Sequence, residues 1–427
     1  MPGIDKDNRY INIFLLIIIS SYILGFYLNE DSAGGGKIDY VDHEWGTIQL
    51  FIKNNLSTAL GSSLYESSRT PLFYIINKYI PFNKDIENLR IFWFIFSSTI
   101  PFLLYYTLKI YFSKGFNKDF ILLFSSIILL SPYFRTNAYW PSSENLQIFL
   151  IILSIFFYLG LIKKSVRNKF DLYFLSSTSI FFAYCAFYTD QKAFFLVALI
   201  YFDLVRRNNL LFFIYFSFLN FILFIPTLYL FITWGGLVPV ESQFRVSRYT
   251  SGTNIFISTI GIYFTLIFVS NLFKTGFIKK INFEKFDIPI ILSLAIFIFF
   301  TLPPDPITFG SGIVSKLLGV FTTSFNYDWN IIKYIYFLIN LFFIGIIFLL
   351  VSKNLKNLII FFCFLLVYNL TSLTYQSYVD PIFYILILTV LDFKKDIIIF
   401  DKKTSYLFVL FYSVMLSGSI IMRTYFI

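Results

Sequence analysis

Two cysteines in 427 residues, Cys185 and Cys363, both inside apolar runs, exclude a disulfide framework and a CxxC metal site. Charge is scarce as well. Only 14% of residues are Asp, Glu, Lys or Arg, against ~25% in average usage, while 57% are hydrophobic. That leaves nothing from which to build a soluble multidomain protein. The 19 glycines fall below the ~7% of average usage, so the broken helices of many transport sites are poorly signalled. There is one histidine, His43, and almost no charged residue at mid-span: Asp119, Asp171, Asp203, Lys109 and Arg423 all sit near span ends. The proton-relay chains of ion-coupled carriers are therefore missing. No nucleotide-binding motif, internal repeat or low-complexity linker is evident.

What the chain does have is a succession of long apolar runs and a mean hydropathy of +0.74. These predict an all-α polytopic membrane protein with about 13 transmembrane helices (12–13). The runs lie near 10–28, 91–112, 119–134, 145–162, 170–188, 192–205, 209–234, 253–273, 288–303, 331–352, 357–371, 374–391 and 404–422. The first is not a cleavable signal, because it is long, lacks a small-residue cleavage site and leads into Asn29-Glu30-Asp31.

Basic residues orient the chain. With the N-terminus inside, Lys163, Lys164, Arg167 and Lys169, Arg206 and Arg207, Lys274, Lys279 and Lys280, and Lys394, Lys395, Lys402 and Lys403 fall on the inner side. The positive-inside rule then gives a cytoplasmic N-terminus and an outer C-terminus. The net charge of +10 reads as topology, not as nucleic-acid binding.

The largest polar segment is the first outer loop, 29–90, with shorter outer loops near 235–252 and 304–330. Trp45, Ile48, Ile52 and Leu56 share one helical face there, with Gln49 and Lys53 opposite, which predicts a helix lying in the membrane interface. Just before it, Lys37-Ile38-Asp39-Tyr40-Val41-Asp42-His43-Glu44-Trp45 gathers three acids and the lone histidine. The plainer reading is a solvated linker with Asp42 as an N-cap. The sharper one is a general base, Asp42 first, tuned by partial burial. Three adjacent side chains converge poorly on one ion, so no metal is assigned. Outer cations follow: Arg69 in Ser68-Arg69-Thr70-Pro71-Leu72, Arg135, Lys192 in Thr189-Asp190-Gln191-Lys192, and Arg245 with Arg248. Each is either a headgroup contact or an anion ligand, phosphate being the natural partner.

The order of these features resembles the polytopic glycosyltransferases of the GT-C superfamily, such as the protein mannosyltransferase and aminoarabinose transferase branch. Tyr40-Val41-Asp42-His43-Glu44 resembles the family's acidic motif, although His43 interrupts the contiguous Asp-Glu pair, so that Asp39 or Glu44 are alternative bases. Arg69-Thr70-Pro71-Leu72-Phe73-Tyr74 resembles its Pro-Leu segment. Asn137 to Asn145, entering the fourth span, and Thr189-Asp190-Gln191-Lys192 resemble its outer turns. The likeness covers about 1–235, a transmembrane module with its catalytic loop at 29–90. Residues 236–427 would add helices and a lipid-donor or acceptor half.

The resemblance implies transfer of a sugar from a polyprenyl-phosphate donor to a hydroxyl of a lipid-linked or glycan acceptor, on the periplasmic or lumenal face, with inversion and without a cofactor. Asp42, Glu44, His43 and Asp39 would form the catalytic group. Arg69, Lys192, Arg135, and Arg245 or Arg248 would hold the donor phosphate. A bacterial inner membrane suits the chain, and the ER membrane has the same sidedness. The competing readings are a lipid-linked oligosaccharide flippase or exporter, and an O-antigen polymerase or ligase; the latter carry their large outer loop late in the chain.

Overall fold

The computed structural model describes residues 6–112, 118–163, 168–245, 252–272, 287–303, 312–369, 375–394 and 400–425, with Lys274, Gly276, Phe277, Phe283, Glu284 and Lys285. Arg248, and Lys164, Arg167, Lys279, Lys280 and Lys395 of the expected inner side, lie outside them. The chain divides into two compact units, 1–243 with 409–427, and 244–408.

The first unit is built, among its described residues, of helices joined by turns and loops. Helix α1 (Lys6–Tyr27) is 22 residues long, or about 33 Å at 1.5 Å per residue, enough to cross a ~30 Å apolar core. Two short helices of the first loop follow, α2 (Trp45–Lys53) and α3 (Leu72–Tyr79). Then α4 (Ile86–Ser98) and α5 (Ile100–Tyr111) run on as a single 26-residue span. The Asp85 carboxylate starts α4 by accepting from the Glu87 and Asn88 amides at 2.8 and 2.9 Å.

Next, α6 (Lys118–Ser126) tightens into a 3₁₀ turn at Ile127–Leu130 before α7 (Pro132–Tyr139), and the pair is bent by 66°. Pro132 at the first turn of α7, capped by Ser131, accounts for the break. The sequence places a span's end at 134. The chain instead turns back, so that Arg135 rides on a second arm against α1. Helices α8 (Ser143–Lys163), α9 (Lys169–Phe187), α10 (Phe194–Arg207) and α11 (Leu210–Trp234) complete this unit, α8 being its most enclosed span.

The second unit holds α12 (Gly252–Leu272), α13 (Asp287–Phe300), α14 (Ile313–Phe325), α15 (Trp329–Leu350), α16 (Leu355–Asn369) and α17 (Ile382–Thr389). The final helix, α18 (Lys402–Tyr425), begins in this unit and ends in the first. Polar side chains join α12 to its neighbours. Asn340 donates to the Asn254 carbonyl oxygen at 3.1 Å, and the Tyr263 hydroxyl bonds the buried Asp380 carboxylate. Such bonds fasten helices where no hydrophobic gain is on offer.

Among the described residues eight helices are long and apolar enough to cross a membrane, or nine if α6 and α7 are counted as one bent span. The protein is a polytopic membrane protein. Each of the other expected spans contains a helix, but α10 and α13 have 14 residues, α16 has 15 and α17 has 8. Fourteen residues reach only about 21 Å, short of a full crossing on their own.

Candidate functional site

The first loop is not a linker. In α2, Thr47, Ile48, Leu50 and Phe51 are buried, while Trp45 and Ile52 are half-buried and Leu56 is exposed beyond the helix end. Of the face expected on the membrane only Ile48 is buried; α2 packs on α3 through Phe51, whose ring stacks on Tyr74 at 5.5 Å and meets Tyr65 edge-on at 5.4 Å. Burying each such side chain stabilises the loop by roughly 1.5–3 kcal/mol.

The acidic stretch Asp39–Glu44 winds as a π-helix, with the Trp45 amide donating to the Tyr40 carbonyl five residues back. In an α-helix the residue one turn before Glu44 would be Tyr40. The wider π turn sets Asp39 as well as Tyr40 on the turn before Glu44, near enough for the Asp39 charge to be felt there. Tyr40 turns inward, buried, with its hydroxyl donating to the Ile86 carbonyl at 3.0 Å. Turns of this kind are rare and concentrate at functional sites.

Glu44 is buried, and both its oxygens are occupied. Arg69 Nη1 donates to Oε1 at 3.1 Å and the Tyr74 hydroxyl to Oε2 at 2.6 Å. Arg69 Nη2 is ion-paired to Glu144 Oε1, at the start of α8. The segment carrying Arg69 is stapled to the hairpin after α9. Thr70 Oγ1 donates to the Phe187 carbonyl at 2.8 Å, Leu72 N–H to Tyr188 at 2.9 Å, and Gln191 Nε2 to the Ser68 carbonyl at 3.2 Å. In that hairpin Lys192 Nζ holds the Asp190 carboxylate at 2.8 Å, and Gln147 of α8 donates to the Asp190 carbonyl at 3.1 Å. Segments far apart in sequence thus bring Asp39, Glu44, Arg69, Glu144, Asp190 and Lys192 to one end of the unit.

Their electrostatics are coupled. Burial raises the pKa of Glu44; Arg69 and the Tyr74 hydroxyl oppose this, and Glu144 and Asp39 add to it. The protein packed around Asp39 raises its pKa too, Arg69 and His43 pulling against this and Glu144 and Asp31 reinforcing it, although the side chain keeps solvent contact. Burial disfavours charge on Arg69, but Glu144 and Glu44 outweigh it and hold the guanidinium firmly protonated. Burial of Asp190 is likewise outweighed, by Lys192 and Arg69, and its pKa lies below the usual range.

The remaining candidates are placed differently. Asp42 is exposed and makes no hydrogen bond or ion pair among the described residues. His43 is exposed at the rim, its Nδ1 3.2 Å from Glu66 Oε2. Arg135 is 2% exposed and spends all five N–H donors inside the protein, on Glu30, Ser21 and the Leu129 carbonyl. Arg69 spends two of five in side-chain pairs and keeps 18% of its side chain exposed. Arg245 ends the 3₁₀ turn Val240–Arg245, and its side chain, like all of Arg248, lies outside the described residues.

Residues that composition and motif did not single out complete the site. Glu144 and Asp190 hold the cations, Tyr74 holds Glu44, and Glu30 holds Arg135. An acid two residues before Lys192, and one directly after the first span, were the available signals. Among the described residues no three His, Cys, Asp or Glu side chains are grouped to hold a metal ion.

No family model, curated protein or solved structure matches the chain.

Proposed function

We propose that the protein is an integral membrane glycosyltransferase that moves a sugar from a polyprenyl-phosphate donor to an acceptor hydroxyl at the outer face, with inversion. One observation supports the reading: the π turn holds an exposed acid of raised pKa, Asp39, on the turn before the glutamate that orients a partly unpaired arginine, and both acids feel the charge of that arginine. Asp39 is the base. Glu44 is buried with both oxygens bonded to the protein, which suits it to aiming Arg69. A carboxylate whose pKa rises toward the working pH accepts a proton more effectively in the transition state. The unused N–H groups of Arg69 meet the charge that grows on the departing phosphate, aided by Lys192.

The proposal includes a GT-C-like, thirteen-crossing frame in which α10, α13, α16 and α17 take part in the additional crossings. It also includes a cytoplasmic N-terminus, a periplasmic C-terminus and an inner-membrane location. The donor's apolar tail would lie against the aromatic-rich spans.

The test uses the full-length protein in detergent with radiolabelled polyprenyl-phosphate sugars, comparing wild type with Asp39→Asn and Asp42→Asn. Release of polyprenyl phosphate by wild type and Asp42→Asn, but not by Asp39→Asn, supports the assignment. Loss in Asp42→Asn alone moves the base to Asp42. No turnover with any donor, together with scrambling of lipid-linked sugar in proteoliposomes, overturns the transferase reading in favour of a flippase.

A further inference from the structure

Among the described residues four consecutive ones, Ser142, Ser143, Glu144 and Asn145, each carry a buried side-chain oxygen with no hydrogen-bond partner. Ser142 immediately precedes α8, where a serine ordinarily accepts a bond from an amide of the first turn. Its Oγ makes no such bond. Ser143 is fully buried and its Oγ is likewise unsatisfied. Glu144 is 7% exposed; its Oε1 holds Arg69, and Oε2 meets nothing. Buried polar atoms are normally paired, and each unpaired one calls for an explanation.

We infer that Ser142, Ser143 and Glu144 form a subsite for the hydroxyl groups of a sugar; the inference rests on the transferase reading. A carboxylate oxygen needs a donor, whereas a serine hydroxyl takes either role. Phosphate offers only acceptors at neutral pH and would be repelled by Glu144. A polyol supplies donors and acceptors together. The placement fits the chemistry, since Glu144 Oε1 is bound to the arginine assigned to the phosphate and the sugar is joined to that phosphate. A site built to pair hydroxyls also discriminates strongly against ligands that lack them, because its own buried groups are then left unpaired.

The test is ligand-dependent thermal melting of the full-length protein, comparing wild type with the Ser142→Ala/Ser143→Ala double variant. The probes are polyprenyl phosphate, polyprenyl-phosphate glucose, mannose and N-acetylglucosamine, and the corresponding methyl glycosides. Since neither hydroxyl bonds to the protein, the ligand-free variant should melt at or above the wild-type temperature. The preference of wild type for a sugar-bearing lipid over bare polyprenyl phosphate should fall roughly tenfold in the variant, the worth of one or two hydrogen bonds.

Loss seen with the lipid-linked sugar places the donor's hydroxyls here; loss seen only with a methyl glycoside places the acceptor's. A variant that melts lower yet keeps the full sugar preference overturns the subsite and leaves the transferase reading standing. If wild type favours neither any sugar-bearing lipid nor any glycoside, both fall. Ser143→Cys, close to serine in volume, serves in place of the double variant if that fails to insert.

Discussion

The guanidinium of Arg135 donates to both carboxylate oxygens of Glu30, at 2.8 and 2.5 Å. Its other N–H groups go to Ser21 Oγ at 3.1 Å, the Ser21 carbonyl at 2.7 Å and the Leu129 carbonyl at 3.4 Å. Arg135 is thereby a strut between α1 and the bent α6–α7 pair. Nearby, the Arg90 guanidinium lies between the Phe26 and Trp140 rings, at 4.6 and 4.1 Å, and donates to the Tyr139 carbonyl at 2.7 Å. Both arginines are held wholly by their own unit.

The strut makes Gly25 indispensable. A Cβ there would lie 2.5 Å from Arg135 Nη2 and 2.7 Å from the Tyr139 hydroxyl, and would also meet the Glu30 carboxylate. These atoms belong to a fixed ion pair and cannot step aside cheaply. Gly25→Ala should lower stability by ~1–3 kcal/mol through overpacking. Glu30→Gln should cost ~3–5 kcal/mol, because it strands a buried cation. Thermal melting in detergent checks both. If Arg135 is structural only, residual folded protein should bind polyprenyl phosphate with wild-type affinity.

Arg69 invites the opposite expectation. Arg69→Ala would leave Glu44 and Glu144 buried beside one another without a cation, a loss of ~3–5 kcal/mol. The pH dependence gives the mechanism away. Glu44 has a folded-state pKa above its unfolded value, so the folded protein holds the extra proton between the two, and stability falls as pH rises through that window. Removing Arg69, which pulls the pKa down, pushes it higher and widens the window. The melting temperature of Arg69→Ala should fall with rising pH over a broader range than that of wild type. Glu44→Gln in the same background should flatten the slope.

Asp190 runs the other way. Its folded-state pKa lies below the unfolded one, because Lys192 and Arg69 outweigh its burial. Its contribution is complete above the unfolded value and is lost as pH falls through the folded one. Lys192→Met should therefore remove stability at neutral pH while leaving the acid end of the melting curve nearly unchanged. Equal losses at both ends would mean that Lys192 acts through packing alone.

The helical frame was legible because 3.6-residue periodicity and apolar length are local properties, and α1, α8, α11 and α15 announce themselves. The centre of the site was less so. Counting by α-helical turns relates only Tyr40 to Glu44; the wider π turn brings Asp39 onto the preceding turn as well, and no residue type marks it. Arg135 and Arg69 look alike as cations facing outward. Only the fold shows that one spends every donor on its own unit and the other does not. Asp190 stands two residues from its partner Lys192, whereas the partner of Glu144, Arg69, arrives from 75 residues away. In α2 the side that packs on α3 is the one bearing Phe51, beside the Trp45–Ile52 stripe, a relation between two amphipathic helices that either sequence alone leaves open.

The assignment of Asp39 carries its own pH signature. Its pKa is raised by the protein around it, lowered by Arg69 and raised again by Glu144. A base must be deprotonated to act, so sugar transfer should rise with pH through that pKa and then level off. Glu144→Gln removes a negative neighbour, lowers the Asp39 pKa and should move the rising limb of kcat/KM to lower pH, whatever happens to the maximum rate. A merely structural Glu144 would change the amplitude and leave the limb where it was. Asp39→Asn should lose ~10²–10⁴-fold in rate with no limb remaining, while Asp42→Asn keeps both rate and limb. A limb that vanishes in Asp42→Asn instead would mean that Asp42, not Asp39, takes the proton.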